Sequence, residues 1–248
     1  MKLRYFSDLH LEFIKPNKMQ NFLRKIPSGK DEVCILAGDI GNPYQPNYDI
    51  FMDFINVNFK KTFVIAGNHE YYNCKTMKET LIYLENYFTK FENISFLNNT
   101  CEYFENYCFV GTTLWSKVTK TDYPINDIYS IQNFDHVKYN KLNVLSIAFL
   151  KDALKNNENC IIITHHLPSE SLIDAKYKTP KTMHYNQWFY CDLDNFIDVN
   201  KDKIKCWFYG HTHIPSNVLI HNIPFLCNPI GYPNENPKIN LEKYVLLE

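Results

Sequence analysis

No run in this sequence approaches the ~18 to 20 apolar residues that a membrane-spanning helix requires. Met1 and Lys2 lead straight into Leu3-Arg4-Tyr5-Phe6 without a signal-type apolar stretch. A membrane partner is therefore not expected, and the chain reads as soluble and cytoplasmic. An excess of either charge is also missing, since 26 Lys and Arg stand against 27 Asp and Glu for a formal net charge of −1. That balance gives no broad electrostatic case for an extended nucleic-acid surface; Lys176, Lys178 and Lys181 come nearest, and a solvated loop accounts for them. CxxC spacing is absent. The eight cysteines are scattered, and Cys34, Cys160 and Cys206 lie inside strand-like apolar runs, so buried free thiols in a reducing compartment are expected rather than a disulfide framework. No Pro/Gly/Ser linker or charge run divides the chain, which predicts one domain over residues 1–248.

Glycine is scarce, with seven in the chain, and four of them, Gly38, Gly41, Gly67 and Gly210, stand beside clusters of polar residues. Six of the nine histidines fall in four such clusters: Ser7-Asp8-Leu9-His10, Gly67-Asn68-His69-Glu70, Thr164-His165-His166 and Gly210-His211-Thr212-His213. A fifth, Ala37-Gly38-Asp39, sits between the first two. Each follows an apolar, β-branched or aromatic run, as a group does when it is held at the end of a buried strand. Ordinary strand-end turns explain any one cluster, but not five together.

Strand-like runs occur at 2–6, 33–37, 62–66, 109–110, 161–164, 205–209, 218–220 and 244–247. Helical spacing occurs at 17–25, 48–58, 76–90 and 143–156, with Thr76 and Glu79 as a possible capping box. Strands alternating with helices early, then clustering late, predict an α/β fold with a four-layer α/β/β/α sandwich of two mixed sheets. Residues 116–136 and 168–183 lack firm periodicity, and irregular segments of that length often form binding loops.

The clusters suit a metal. Asp8 and His10 are two apart, so a continued strand would turn both toward one cation, and His211 and His213 repeat the spacing. Asp39 adds a carboxylate able to bridge, and Asn68 a neutral oxygen. Imidazole and carboxylate without cysteine favour manganese, iron or zinc over a structural zinc or an oxygen-only calcium cage.

The order Asp-x-His, Gly-Asp, Gly-Asn-His-Glu, a histidine after a strand and Gly-His-x-His resembles the calcineurin-like metallophosphoesterases over residues 7–213. Ser7 to Phe13, Gly67 to Tyr72, Thr112 to Trp115 and Asn228 to Tyr232 look most like a compact, cap-less bacterial, phage and viral subgroup. The resemblance implies that Asp8, His10 and His213 hold one divalent transition-metal ion and Asn68, His165 and His211 a second, with Asp39 bridging. Manganese is the first expectation; iron, zinc, nickel or cobalt are the alternatives. It also implies hydrolysis of a phosphoester by a two-metal-activated hydroxide, with His69 as general acid oriented by Glu70 or Asp39. One departure stands out, because Asn42 occupies the place of a later carboxylate that many relatives carry.

A phosphodiester of a nucleotide or another small organic phosphate is the expected substrate. The alternatives are a phosphomonoesterase or protein phosphatase of the same fold, or a non-catalytic scaffold. His166, Trp115, Tyr71 and Asp127 are the predicted substrate contacts, with Trp115 stacking on a base, while Tyr72, His184, Tyr185 and Tyr232 lie on or near segments expected to frame the pocket.

Overall fold

Strands that are apolar on both faces need cover on both faces, and this chain supplies it by stacking two sheets and laying helices over each. The computed structural model describes residues 1–235 and 239–247. In the first sheet, β1 (Lys2–Phe6), β2 (Gly29–Ala37), β3 (Phe59–Ile65) and β4 (Ile94–Phe96) run parallel, and β11 (Tyr244–Leu246) joins the β1 edge antiparallel. In the second, β6 (Tyr107–Thr112), β7 (Cys160–Thr164), β8 (Ile204–Tyr209) and β10 (Ile223–Cys227) run parallel, with β5 (Thr100–Phe104) and β9 (Ser216–Ile220) as antiparallel edges.

Side-chain alternation divides the core into three layers. Leu3, Tyr5, Val33, Ile35 and Phe63 face Phe109, Ile161, Ile163 and Phe208 between the sheets. Phe63 and Phe109 stack across that interface with ring centroids 3.8 Å apart. On the outer face of the first sheet, Phe6, Cys34, Leu36 and Val64 pack on α1 (Pro16–Leu23), α2 (Pro46–Asn58) and α3 (Met77–Phe88). On the outer face of the second, Val110, Ile162 and Trp207 pack on α5 (His136–Asn156) and α6 (Asp194–Asn200). This is the predicted sandwich of two mixed sheets between helices. The Thr76–Glu79 capping box opens α3 as expected. Strands β4, β5 and β10 and helix α6 were not read from the sequence, and α5 begins seven residues earlier than its apolar pattern suggests. Its first residues, such as Val137, are exposed, and the cap is the Asp135 side chain accepting from the Lys138 N–H.

Parallel strands put all their C-terminal ends on one side, and here both sheets do so on the same side. Ser7 bridges to Pro229, Thr113 Oγ1 donates to the Ala66 carbonyl at 2.7 Å, and Ser7 N–H donates to the Asn228 carbonyl at 3.2 Å. Loops leaving strand C-termini are where open α/β sheets gather ligands. Among the described residues, no helix is long and apolar enough to cross a membrane.

Candidate metal centre

The five polar clusters converge at that C-terminal rim. The side chains get there by a route other than the predicted one: β1 ends at Phe6, and Asp8 (φ +51°) and His10 (φ +46°) both take left-handed backbone, as do Asp39 (φ +53°), His211 (φ +66°) and His213 (φ +52°). Strand alternation therefore does not aim the Asp-x-His and His-x-His pairs. Local turns do, each at a cost of about 1 kcal/mol or more for a non-glycine residue, and such strain concentrates at functional sites. Two glycines make the close approach possible. A Cβ on Gly67 would lie 2.2 Å from Asp39 Oδ1, and Gly38 needs φ +83° with His165 Nδ1 2.7 Å from where its Cβ would be.

Among the described residues, three groups of donor atoms lie close enough to hold a cation: Asp8, His10 and His213; Asp39, His165 and His211; and His10, Glu12 and His69. His10 Nε2 faces His213 Nε2 at 3.1 Å, and His213 Nε2 is 3.4 Å from Asp8 Oδ1. The outer nitrogens of both rings are taken, His10 Nδ1 by Glu12 Oε1 at 3.0 Å and His213 Nδ1 by Glu235 Oε2 at 2.6 Å. Similarly, His165 Nδ1 donates to the Ala37 carbonyl at 2.9 Å, which leaves Nε2 as an acceptor when the ring is neutral. That Nε2 faces two more acceptors, Asn68 Oδ1 at 3.0 Å and Asp39 Oδ2 at 3.3 Å. Only a proton or a cation reconciles acceptors that face one another. Among the described residues His211 Nε2, which is buried, has no hydrogen-bond partner, and its backbone N–H is anchored on Asp8 Oδ1 at 2.9 Å. These donors fit divalent metal ions.

Protonation follows the same logic. Burial opposes charge on His165, but the Asp39 carboxylate outweighs it and holds the imidazole up at about 10. Burial opposes charge on His213 too, and Asp8 and Glu235 raise it to about 9. Asp8 and Asp39 are held below the usual carboxylate range despite burial, by His213 and His165 respectively. Two carboxylates and two imidazoles thus hold charge inside the protein, where a cation can displace protons.

His69 lies at the edge of this centre. Its backbone N–H donates to Asp39 Oδ1 at 2.8 Å, its ring stacks on Tyr72 at 4.0 Å, Nδ1 is 3.2 Å from Glu12 Oε1, and Nε2 is 3.0 Å from the Tyr232 hydroxyl. The expectation that Glu70 orients this ring is corrected. Glu70 is buried and accepts from the backbone N–H groups of Gly67, Asp39 and Ile40 at 2.6, 3.1 and 2.7 Å, pinning two loops together. Burial, then the Asp39 charge, pushes its carboxyl up to about 7. Glu12 is the partner that sequence reasoning missed. It stands two residues past His10 but reaches His69 across 57 positions, and no spacing rule links them. Asn42 shapes a turn, its Oδ1 accepting from the Tyr44 N–H at 2.9 Å, while its Nδ2 donates to the Tyr72 carbonyl at 3.5 Å.

A cleft of about 530 Å³ opens onto the centre. Asp39, Asn68, His69, His211 and His213 form its floor, while Ile125, Ile173, Tyr177, Tyr185, Phe189 and Tyr232 are among the residues of its walls. The two irregular segments therefore do become binding-loop walls. Four residues past the second segment, Gln187 ties that part of the chain to the first by accepting from the N–H groups of Thr119 and Lys120 at 2.9 and 3.0 Å.

Three predicted substrate contacts are corrected. Trp115 is 3% exposed and packs on Phe134 and Tyr139, and Tyr71 is 4% exposed in the same core layer, because apolar rings left by their loops were drawn into the core. His166 is fully buried with Nε2 3.1 Å from the Tyr139 hydroxyl and Nδ1 3.3 Å from the Thr113 carbonyl; burial, then the neighbouring His165, lowers it to about 3. Asp127 does border the cleft, but its Oδ1 accepts from Asn68 Nδ2 at 2.8 Å and from the Tyr72 hydroxyl. Of the other residues expected to frame the pocket, Tyr72, Tyr185 and Tyr232 line it.

Comparison with known proteins agrees with this geometry. The profile of the calcineurin-like phosphoesterases matches residues 1–215. A protein of Acanthamoeba polyphaga mimivirus, "Uncharacterized protein L509", is 32% identical over 98% of this chain and 95% of its own length. Among solved structures, the phosphopantetheinyl hydrolase PptH of Mycobacterium tuberculosis superposes with a TM-score of 0.77, covering 95% of this chain and 91% of that one. At 17% identity that likeness is one of fold.

Proposed function

The chain belongs to the calcineurin-like phosphoesterases, hydrolases of phosphoester bonds, and from there we propose that it cleaves a phosphodiester of a nucleotide or another small organic phosphate. In this reading Asp8, His10 and His213 hold one divalent cation, Asn68, His165 and His211 hold the other, and Asp39 serves both. The observation that carries it is the position of Asp39 Oδ2, 3.3 Å from His165 Nε2 and 3.9 Å from His10 Nε2, between the two donor groups. When bound, two such ions, manganese by first expectation, act as Lewis acids on the phosphoryl oxygens and supply hydroxide near neutral pH.

The protein's own groups do the rest. Glu12 and Glu235 fix the His10 and His213 rings so that Nε2 faces inward. Glu70 holds the Asp39 and Gly67 backbones in place. Burial opposes charge on His69, but Asp39 and Glu12 outweigh it and raise its affinity for a proton. With Nδ1–H turned to Glu12, a protonated His69 has its second N–H on Nε2, beside the Tyr232 hydroxyl at 3.0 Å on the cleft, from where that proton would pass to the departing oxygen. The leaving alcohol then departs neutral, and no covalent enzyme intermediate is needed.

The cleft wall favours an organic diester. Ile125, Ile173, Tyr177, Tyr185 and Phe189 offer an apolar, partly aromatic surface of the kind that holds an aryl group or a base. The site draws on residues 8 to 213, which supports the whole chain working as one unit. Eight free thiols, six of them buried, suit a cytoplasmic setting. The test is hydrolysis of bis(p-nitrophenyl) phosphate beside p-nitrophenyl phosphate with Mn²⁺, Fe²⁺, Zn²⁺, Ni²⁺ and Co²⁺ in turn. The reading expects the diester to be preferred; no turnover with any of these ions would leave a scaffold.

A further inference from the structure

We propose that Asp127 is a positioning residue: with Tyr72 it locks the side-chain amide of Asn68 so that the oxygen, and not the nitrogen, faces His165. This rests on the reading of Asn68 as a cation ligand. A side-chain amide is nearly symmetric in shape, so packing alone does not choose which end points where; hydrogen bonds choose. Here Asn68 Nδ2 donates to Asp127 Oδ1 at 2.8 Å and lies 3.1 Å from the Tyr72 hydroxyl, and that hydroxyl itself donates to the same carboxylate oxygen. The amide oxygen is thereby left 3.0 Å from His165 Nε2.

The consequence is chemical. His165 gives Nδ1–H to the Ala37 carbonyl, so a neutral ring offers only an acceptor at Nε2, and Asp39 Oδ2 adds a third acceptor. Three acceptors facing one another make a cation cradle. Were Asn68 reversed, its NH₂ would donate to His165 Nε2, the conflict would vanish without a cation, and the site would lose an oxygen ligand. Asp127 is what prevents that reversal.

The cost of placing Asp127 there supports the assignment. It is fully buried at the start of α4 (Asn126–Ser130), and among the described residues its Oδ2 makes no hydrogen bond. A buried carboxylate with one idle oxygen is destabilising unless the other oxygen does something needed. The hydrogen bonds of Oδ1 run to Asn68 and Tyr72.

The experiment compares Asp127→Leu, Asp127→Asn and Asn68→Ala with the unaltered chain. Mn²⁺ content is read by elemental analysis and Mn²⁺ affinity by calorimetry, on protein whose circular dichroism matches. Asp127→Leu removes the acceptor, and one of the two Mn²⁺ affinities is expected to fall about 10- to 100-fold, as in Asn68→Ala. Asp127→Asn keeps an acceptor oxygen and is expected to stay within about 3-fold of the original. Asp127→Ala carries the same expectation as the leucine variant where that one does not fold. Two Mn²⁺ ions bound at unaltered affinity by Asp127→Leu or Asp127→Ala, while Asn68→Ala loses one, would overturn the positioning role alone. Loss in Asp127→Asn equal to that in Asp127→Leu would overturn it too, by making charge rather than amide orientation the requirement. Retention of both ions by Asn68→Ala would instead sink the ligand reading beneath it.

Discussion

Glu12 Oε1 lies 3.2 Å from His69 Nδ1, and the same oxygen lies 3.0 Å from His10 Nδ1. One acidic side chain thus steers both a candidate ligand and the candidate proton donor. Glu12→Gln keeps the shape and weakens both hydrogen bonds. Its kcat is expected to fall about 10- to 100-fold together with a measurable loss of Mn²⁺ affinity. Steady-state kinetics at saturating Mn²⁺ separates the two effects, since the part due to His69 persists there.

His69 and Asp39 have different jobs in this account. His69→Ala is expected to keep the full complement of metal while kcat falls about 100-fold or more. Asp39→Ala is expected to lose metal and activity together. Elemental analysis of both variants checks this; equal metal loss would merge the two roles.

Trp115 is buried in the core, so the proposed aromatic contact with substrate falls to residues of the cleft wall instead. Trp115→Ala is expected to cost about 3 to 5 kcal/mol of stability, read by urea denaturation, because it empties a packed core position. Tyr185 is 38% exposed on the cleft, and Tyr185→Ala is expected to raise KM for thymidine 5′-(p-nitrophenyl) phosphate about 5-fold or more relative to methyl p-nitrophenyl phosphate. An equal change for both substrates would remove Tyr185 from recognition.

Away from the site, Arg4 clamps Glu32 with Nε to Oε2 at 2.7 Å and Nη2 to Oε1 at 3.0 Å, and Lys2 Nζ adds a contact to Oε1 at 2.7 Å. Burial alone would raise the Glu32 carboxyl, but the hydrogen bonds from Arg4 and Lys2 outweigh it and hold it below its usual value. A depressed carboxyl stabilises the fold above the unfolded-state value of about 4.3, and that contribution is lost as pH falls through the lower folded value. Glu32→Gln is therefore expected to be less stable than the original by about 1 to 2 kcal/mol at pH 7, discounted for the solvent-facing side of the pair. Denaturation curves should converge as pH is taken below about 4.

Much of the centre was legible because it sits where sequence is most explicit. Apolar runs announced the buried strands, and polar residues just past them announced the rim. What stayed hidden depends on contacts between distant segments. The pairing of Glu12 with His69 and the use of Asp127 on Asn68 arise only when separate loops meet. Trp115 was misread because an aromatic residue after a strand looks the same whether it turns into the core or out to a ligand. The two-residue spacing of Asp8 and His10 suggests a continued strand as what joins them, whereas left-handed turns bring their donor atoms into one group with His213. Short edge strands such as β4, with three residues, carry too little periodicity to be read at all.

In the proposed reading, two cations sharing Asp39 drive phosphodiester cleavage. Metal-stripped protein titrated with Mn²⁺, with hydrolysis of bis(p-nitrophenyl) phosphate followed at each addition, tests it most directly. Activity is expected to reach its plateau at two equivalents and to be abolished in Asp39→Ala. Full activity without added metal, or a plateau at one equivalent, would contradict it.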